Sequence, residues 1–118
     1  MLDRPAKLAF LRTLDVLSVP ATYDEAKGLF LLEAMANGLP VVQPKHGAFP
    51  EIIARTGGMM VPPEDPDALA NALHTLLTDR AGAARLGSEA AAGVRAHYTL
   101  DQMAASAEEV YAKVTRAC

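Results

Sequence analysis

The stretch from Gly28 to Pro44, GLFLLEAMANGLPVVQP, constrains the fold more than any other part of the chain. Leu29 to Ala36 is apolar nearly all round except for Glu33, which reads as a helix packed into an interior. Asn37-Gly38 ends that helix, because glycine tolerates the left-handed backbone that helix C-termini often need. Residues 40–44 (PVVQP) then read as a strand. Its paired valines lack polar alternation, so it must be covered on both faces, as in a parallel sheet between helices. A buried helix feeding such a strand is half of a βαβ unit, and an α/β domain is the fold class that accommodates it.

The flanking segments continue this pattern. Pro5 to Thr13 reads as a helix, Leu14 to Val19 as a strand stopped by Pro20, and residues 21–27 as a polar connection. After PVVQP, residues 45–58 form a loop and a short helix with Pro50 near its start, and residues 59–61 (MMV) form a third strand. The remainder is helical. Asp65 and Pro66 start a helix carrying Leu69, Leu73, Leu76 and Leu77 on one face. Residues 80–98 form a second helix, weakened by Gly82, Gly87 and Gly93 at about 1 kcal/mol each relative to alanine. Thr99 and Gln102 make a capping box for a last helix with an apolar stripe of Leu100, Met103, Ala107, Val110, Tyr111 and Val114. The expectation is a partial Rossmann-like domain spanning 1–118, with about three short parallel strands flanked by helices and a C-terminal third that is all helical.

Composition removes several functional classes. A chain of 118 residues, 51% hydrophobic and 21% charged, suits one globular domain rather than a disordered or collagen-like polymer. Its single cysteine, Cys118, cannot close an internal disulfide or build a cysteine zinc site, and favours a reducing compartment. A net charge of −3 with scattered Lys and Arg gives no footprint for nucleic acid or an anionic membrane. No apolar run is long enough to span a bilayer, and residues 1–12 lack a signal-peptide core. The expected location is cytoplasmic. No pair among His46, His74 and His97 has metal-ligand spacing, so no metal is expected through them.

Glu33 is the residue that breaks the local pattern. An ionised carboxylate inside a buried helix needs a protein group, water or a ligand hydroxyl to hydrogen-bond it. Glu25 lies eight residues earlier, in the connection at the mouth of the strand-loop-helix unit, where open α/β sheets bind ligands. The helix starts at Gly28-Leu29 with free backbone amides at the positive end of its dipole, a setting for phosphate. Two acids beside an anion site suggest a phosphorylated polyol.

The run from Glu25 to Val42, EAKGLFLLEAMANGLPVV, resembles the E-x7-E signature of glycosyltransferase family 4, the group 1 glycosyltransferases of GT-B fold. Ser18-Val19-Pro20 before it, and His46-Gly47 to Pro50-Glu51, Gly57-Gly58 and Val61 to Pro66 after it, match in order, so the likeness covers about residues 7–114. It implies the nucleotide-sugar (donor) binding half of a retaining transferase that uses no metal. By position Glu33 corresponds to the glutamate that binds ribose hydroxyls and Glu25 to the one beside the donor sugar, with amides around Gly28 and Leu29 on the sugar and diphosphate. Lys27 stands where the family more often has Phe and adds a cation near the diphosphate or points to solvent; His46 stands where Gly is common.

The same resemblance implies that an amino-terminal acceptor domain and the first donor-domain strands have no counterpart here. A fragment inactive by itself is therefore expected, its parent cytoplasmic or peripheral at the inner membrane. The strand near Asp15 to Val19 would lose a neighbour, and self-association through that open edge or an adjoining apolar face is expected, most simply as a two-fold dimer. The competing readings are a GT-B nucleotide-sugar epimerase or phosphorylase, and a non-catalytic module that binds a sugar nucleotide or a partner.

Overall fold

The computed structural model describes Met1–Ala117; Cys118, on which the compartment reading rests, lies outside the described residues. Helices and strands alternate as α1 (Arg4–Leu11), α2 (Leu29–Ala36), β1 (Val42–Pro44), α3 (Phe49–Thr56) and β2 (Met59–Val61), followed by α4 (Pro66–Thr78), α5 (Arg80–His97) and α6 (Leu100–Arg116). β1 and β2 pair in parallel, Val42 with Met59, Gln43 with Met60 and Pro44 with Val61. The expected α/β class, with its all-helical C-terminal third, is the fold observed.

One expected strand is corrected. The Leu14–Val19 segment forms no ladder; it touches β1 through a single parallel bridge, Leu17 to Val41. Within that bridge the Leu17 amide donates to the Pro40 carbonyl and the Val42 amide to the Leu17 carbonyl. The next rung would require an amide from Pro44, which has none. Gln43, fully buried, replaces it: its side-chain oxygen accepts from the Val19 amide at 2.7 Å and its Nε2 donates to the Val19 carbonyl at 3.0 Å. A side-chain amide thus does the work of a strand rung.

Val41, just before β1, and Val42, its first residue, serve opposite faces. Val41 belongs to a core with Leu31, Met35, Phe49, Ile53 and Val94 from α2, α3 and α5, while Val42 packs with Val61, Ala72 and Leu76 beneath α4. This covers the sheet on both sides, as the unalternated sequence required. α5 lies against α2 and α3 through its glycines: a Cβ on Gly87 would overlap the Gly38 carbonyl, and one on Gly93 the Thr56 backbone. These positions, read in the sequence as weak points, are where helices meet backbone to backbone.

The capping predictions hold at atomic detail. Asp65 accepts from the Ala68 amide at 2.9 Å, and the reciprocal Thr99–Gln102 box is complete. α6 itself buries none of its residues, and the molecule measures 55 × 32 × 29 Å. Among the described residues no helix is long and apolar enough to cross a membrane.

Candidate functional site

The site is built around the start of α2. Gly28, its N-cap, is left-handed at φ 65° and has no side chain with which to cap the helix. A Cβ there would sit 2.8 Å from Ile52 Cδ1, the movable end of a side chain, so it is the backbone angle that calls for glycine. Glu25 ties down the turn just before α2, its Oε1 accepting from the amides of Gly28 at 3.1 Å and Lys27 at 3.2 Å. The Gly28 amide, then that of Lys27, holds the carboxyl below its ordinary pKa of 4.5. The Gly28 carbonyl receives the amides of Leu31 and Leu32, which leaves those of Leu29 and Phe30 without a partner among the described residues. These two amides are the free donors at the helix start; the Gly28 amide, expected to be free, is occupied.

The Glu25 loop is held from below by the segment after β1. The Ala48 amide donates to the Glu25 carbonyl at 2.8 Å, and Gly47 packs so closely on the Glu25 backbone that a Cβ would lie 2.7 Å from it. His46 Nδ1 lies 3.4 Å from Asp24 Oδ1. This clamp was not legible in the sequence, because its partners are separated by some twenty residues and meet only when β1 lies beside the Leu17 segment. A cavity of about 430 Å³ opens beside it at the carboxyl ends of the strands, bordered by Pro20, Thr22, Pro44, His46 and Glu64. Glu64 is there in a left-handed conformation, φ 54°.

Glu33 is corrected most. It is exposed rather than buried, with 45% of its side chain accessible, and pairs with Lys7 Nζ at 3.2 Å. α2 buries only the face carrying Leu31, Ala34 and Met35, and its opposite face, with Leu29 and Glu33, stays open. Glu33 therefore needs no buried partner and is available to one from solution. It borders a cavity of about 400 Å³ with Arg4, Lys7, Leu11 and Asn37. Arg4 and Lys7 were missed in the sequence, although their i, i+3 spacing with Leu8 and Leu11 puts all four on one face of α1. Lys27 is exposed, and Leu29 has 59% of its surface accessible. The fold thus gathers Glu25, Lys27, Gly28 and Leu29 in one turn and sets Glu33 further along the same helix, against cations from α1.

Three kinds of comparison bear on this arrangement. A family profile described as "Glycosyl transferases group 1" matches residues 2–92. The chain is 33% identical over 111 residues to a D-inositol 3-phosphate glycosyltransferase of Corynebacterium efficiens, covering 93% of this chain and 26% of that one. It is 35% identical over 117 residues to a phosphatidyl-myo-inositol mannosyltransferase of Mycolicibacterium smegmatis, covering 98% of this chain and 30% of the relative. Among solved structures, sucrose-phosphate synthase from Thermosynechococcus elongatus superposes with a TM-score of 0.86 at 31% identity, over all of this chain and 30% of the other. The C-terminal domain of a group 1 glycosyl transferase from Francisella tularensis superposes with a TM-score of 0.74 at 29% identity, over 85% of this chain and 51% of that one. The chain therefore spans less than a third of the curated relatives named here.

Proposed function

Since the chain belongs to the group 1 glycosyltransferases, we propose that it forms the donor-binding part of an enzyme that moves a sugar from a nucleoside diphosphate to an acceptor hydroxyl with retention. In that reaction the bond between the anomeric carbon and the phosphate oxygen breaks, the acceptor oxygen bonds to the same face, and the diphosphate leaves with the electron pair and takes up the proton of the acceptor hydroxyl. The observation that carries the reading is the start of α2. Two unpartnered amides, Leu29 and Phe30, stand at its positive end, between a carboxylate at the loop and a second carboxylate on the open face.

Each group has a task within this proposal. The Leu29 and Phe30 amides meet the diphosphate, and Lys27 adds a cation beside them. Glu33 accepts from the vicinal ribose hydroxyls, releasing part of its pairing with Lys7. Glu25, fixed by two backbone amides, presents its remaining carboxylate oxygen toward the donor sugar. These residues complement a nucleoside diphosphate with hydrogen-bond donors and cations and do not call for a metal. The acceptor-binding domain is proposed to come from sequence beyond this chain, so the chain by itself binds donor without transferring sugar, in the cytoplasm.

Titration with a nucleoside diphosphate, followed by amide NMR and calorimetry, tests the reading. The expected result is saturable perturbation of Leu29 and Phe30 and, for Glu33→Ala, affinity lowered about tenfold through loss of the ribose hydrogen bonds. Absence of any binding, or binding insensitive to Glu33→Ala, overturns it.

A further inference from the structure

Resting on the donor-binding reading of α2, we infer that Lys7 is a second reader of the donor's ribose. With Glu33 it forms a donor-acceptor pair that recognises a vicinal diol and selects ribonucleotides over 2′-deoxyribonucleotides. α1 is anchored by its last turn, where Leu11 is buried in the core with Leu31, Ala34 and Met35 of α2. Lys7, four residues earlier on the same face, thereby comes to lie over α2. There its Nζ donates to Glu33 Oε1 at 3.2 Å. Each side chain is 45% accessible, and an ion pair so exposed adds little to folding stability and reorganises around a ligand at small cost. Its hydrogen-bonding capacity is largely unspent. Among the described residues Nζ makes no other bond and Glu33 Oε2 accepts none, which leaves ammonium protons and a carboxylate oxygen for a ligand.

A hydroxyl both donates and accepts, and the neighbouring oxygens of a vicinal diol lie about a hydrogen-bond length apart. Glu33, an acceptor only, takes the hydroxyl protons, while Lys7, a donor only, gives its own to the hydroxyl oxygens, and each bond polarises the next. A lone carboxylate would satisfy only the donating half of each hydroxyl. Position agrees with this chemistry. Glu33 lies four residues along α2 from Leu29, one turn or about 6 Å, and helix side chains tilt back toward the N-terminus. A diphosphate on the Leu29 and Phe30 amides therefore sets the ribose of the same nucleotide, one methylene beyond the phosphate, beside the pair. The cavity of about 400 Å³ that both residues border is lined also by Leu8, Leu11 and Asn37, and its size falls in the range of small-ligand sites. A nucleotide lacking the 2′-hydroxyl leaves the ammonium unmatched there.

Amide NMR titrations of the 118-residue chain with ADP, GDP, CDP and UDP, each beside its 2′-deoxy counterpart, test this. For the base that binds most tightly, the ribonucleotide is expected to bind about tenfold more tightly than the deoxyribonucleotide, the worth of one hydroxyl bonded to charged groups. Lys7→Met keeps the apolar stem, removes the charge and is expected to lower that ratio to about twofold or less. The half-exposed position lets the variant keep its fold, which unchanged amide signals away from α1 and α2 verify. The ratio separates diol reading from other effects of the substitution. Loss of a cation near a diphosphate, or a shift of α1, weakens both nucleotides alike and leaves the ratio as it was. A ratio unchanged in Lys7→Met overturns the inference while the donor-binding reading stands. So does tighter binding of both nucleotides by that variant, which would make Lys7 a competitor for Glu33. Failure of every one of these diphosphates to bind overturns the donor-binding reading, and the inference with it.

Discussion

Glu25 has a structural role beside the donor-sugar role proposed for it. Its carboxylate closes the turn before α2 by accepting from the Gly28 and Lys27 amides, which favour the charged form and lower its pKa. A depressed pKa contributes stability that is present above the unfolded-state value and lost as pH falls through the folded one. The Lys27 and Gly28 amide signals are therefore expected to titrate with a midpoint below 4.5, and Glu25→Gln to abolish the titration. A midpoint at or above the ordinary value would show that these two bonds do not form in solution. Gly28 is the second informative residue. Gly28→Ala combines a left-handed angle with contact at 2.8 Å to Ile52, and a loss of about 1–3 kcal/mol is expected in urea denaturation. Both glutamates and the helix-start glycine were legible in the sequence. The exposure of Glu33 was not, because an octet as apolar as LFLLEAMA gives no sign of which face is covered.

At the scale of elements, the interest lies in how short pieces are joined. The Leu14–Val19 segment reads as a strand from its composition, yet its ladder ends after one bridge because Pro44 cannot donate the next bond. Gln43→Leu removes both bonds to Val19 at once, and about 2–4 kcal/mol of destabilisation is expected, with faster hydrogen exchange at the Val19 amide. An unchanged denaturation midpoint would show that water replaces the side chain without cost. α5 supplies the complementary case. In an isolated helix Gly87→Ala would stabilise by about 1 kcal/mol, but here the new methyl meets the Gly38 carbonyl. A net loss of about 1–3 kcal/mol is expected by thermal or urea unfolding; a gain would mean that α2 and α5 separate readily. Helix limits and caps came from local chemistry and could be read directly, whereas the fit of α5 against Gly38 depends on residues some fifty positions apart.

For the whole molecule, one layered α/β body positions the candidate donor site at the carboxyl ends of its strands, and α6 contributes no residue to its core. Binding of a nucleoside diphosphate to the folded chain is expected to raise its unfolding temperature with ligand concentration, as mass action requires. Glycosyl transfer by the chain alone is expected to be undetectable when a nucleotide-sugar and an acceptor polyol are supplied. Measured turnover would show that the donor half suffices. Amino-acid sequence by itself determined the α/β class, the helix caps, the glutamate pair and the family, since these follow from local hydrogen bonding, periodicity and short-range spacing. Tertiary structure alone decided that Glu33 faces Lys7 and solvent, that Gln43 stands in for a strand rung and that α6 stays exposed. Each of those depends on which distant surfaces meet, and burial is a property of that meeting rather than of any segment.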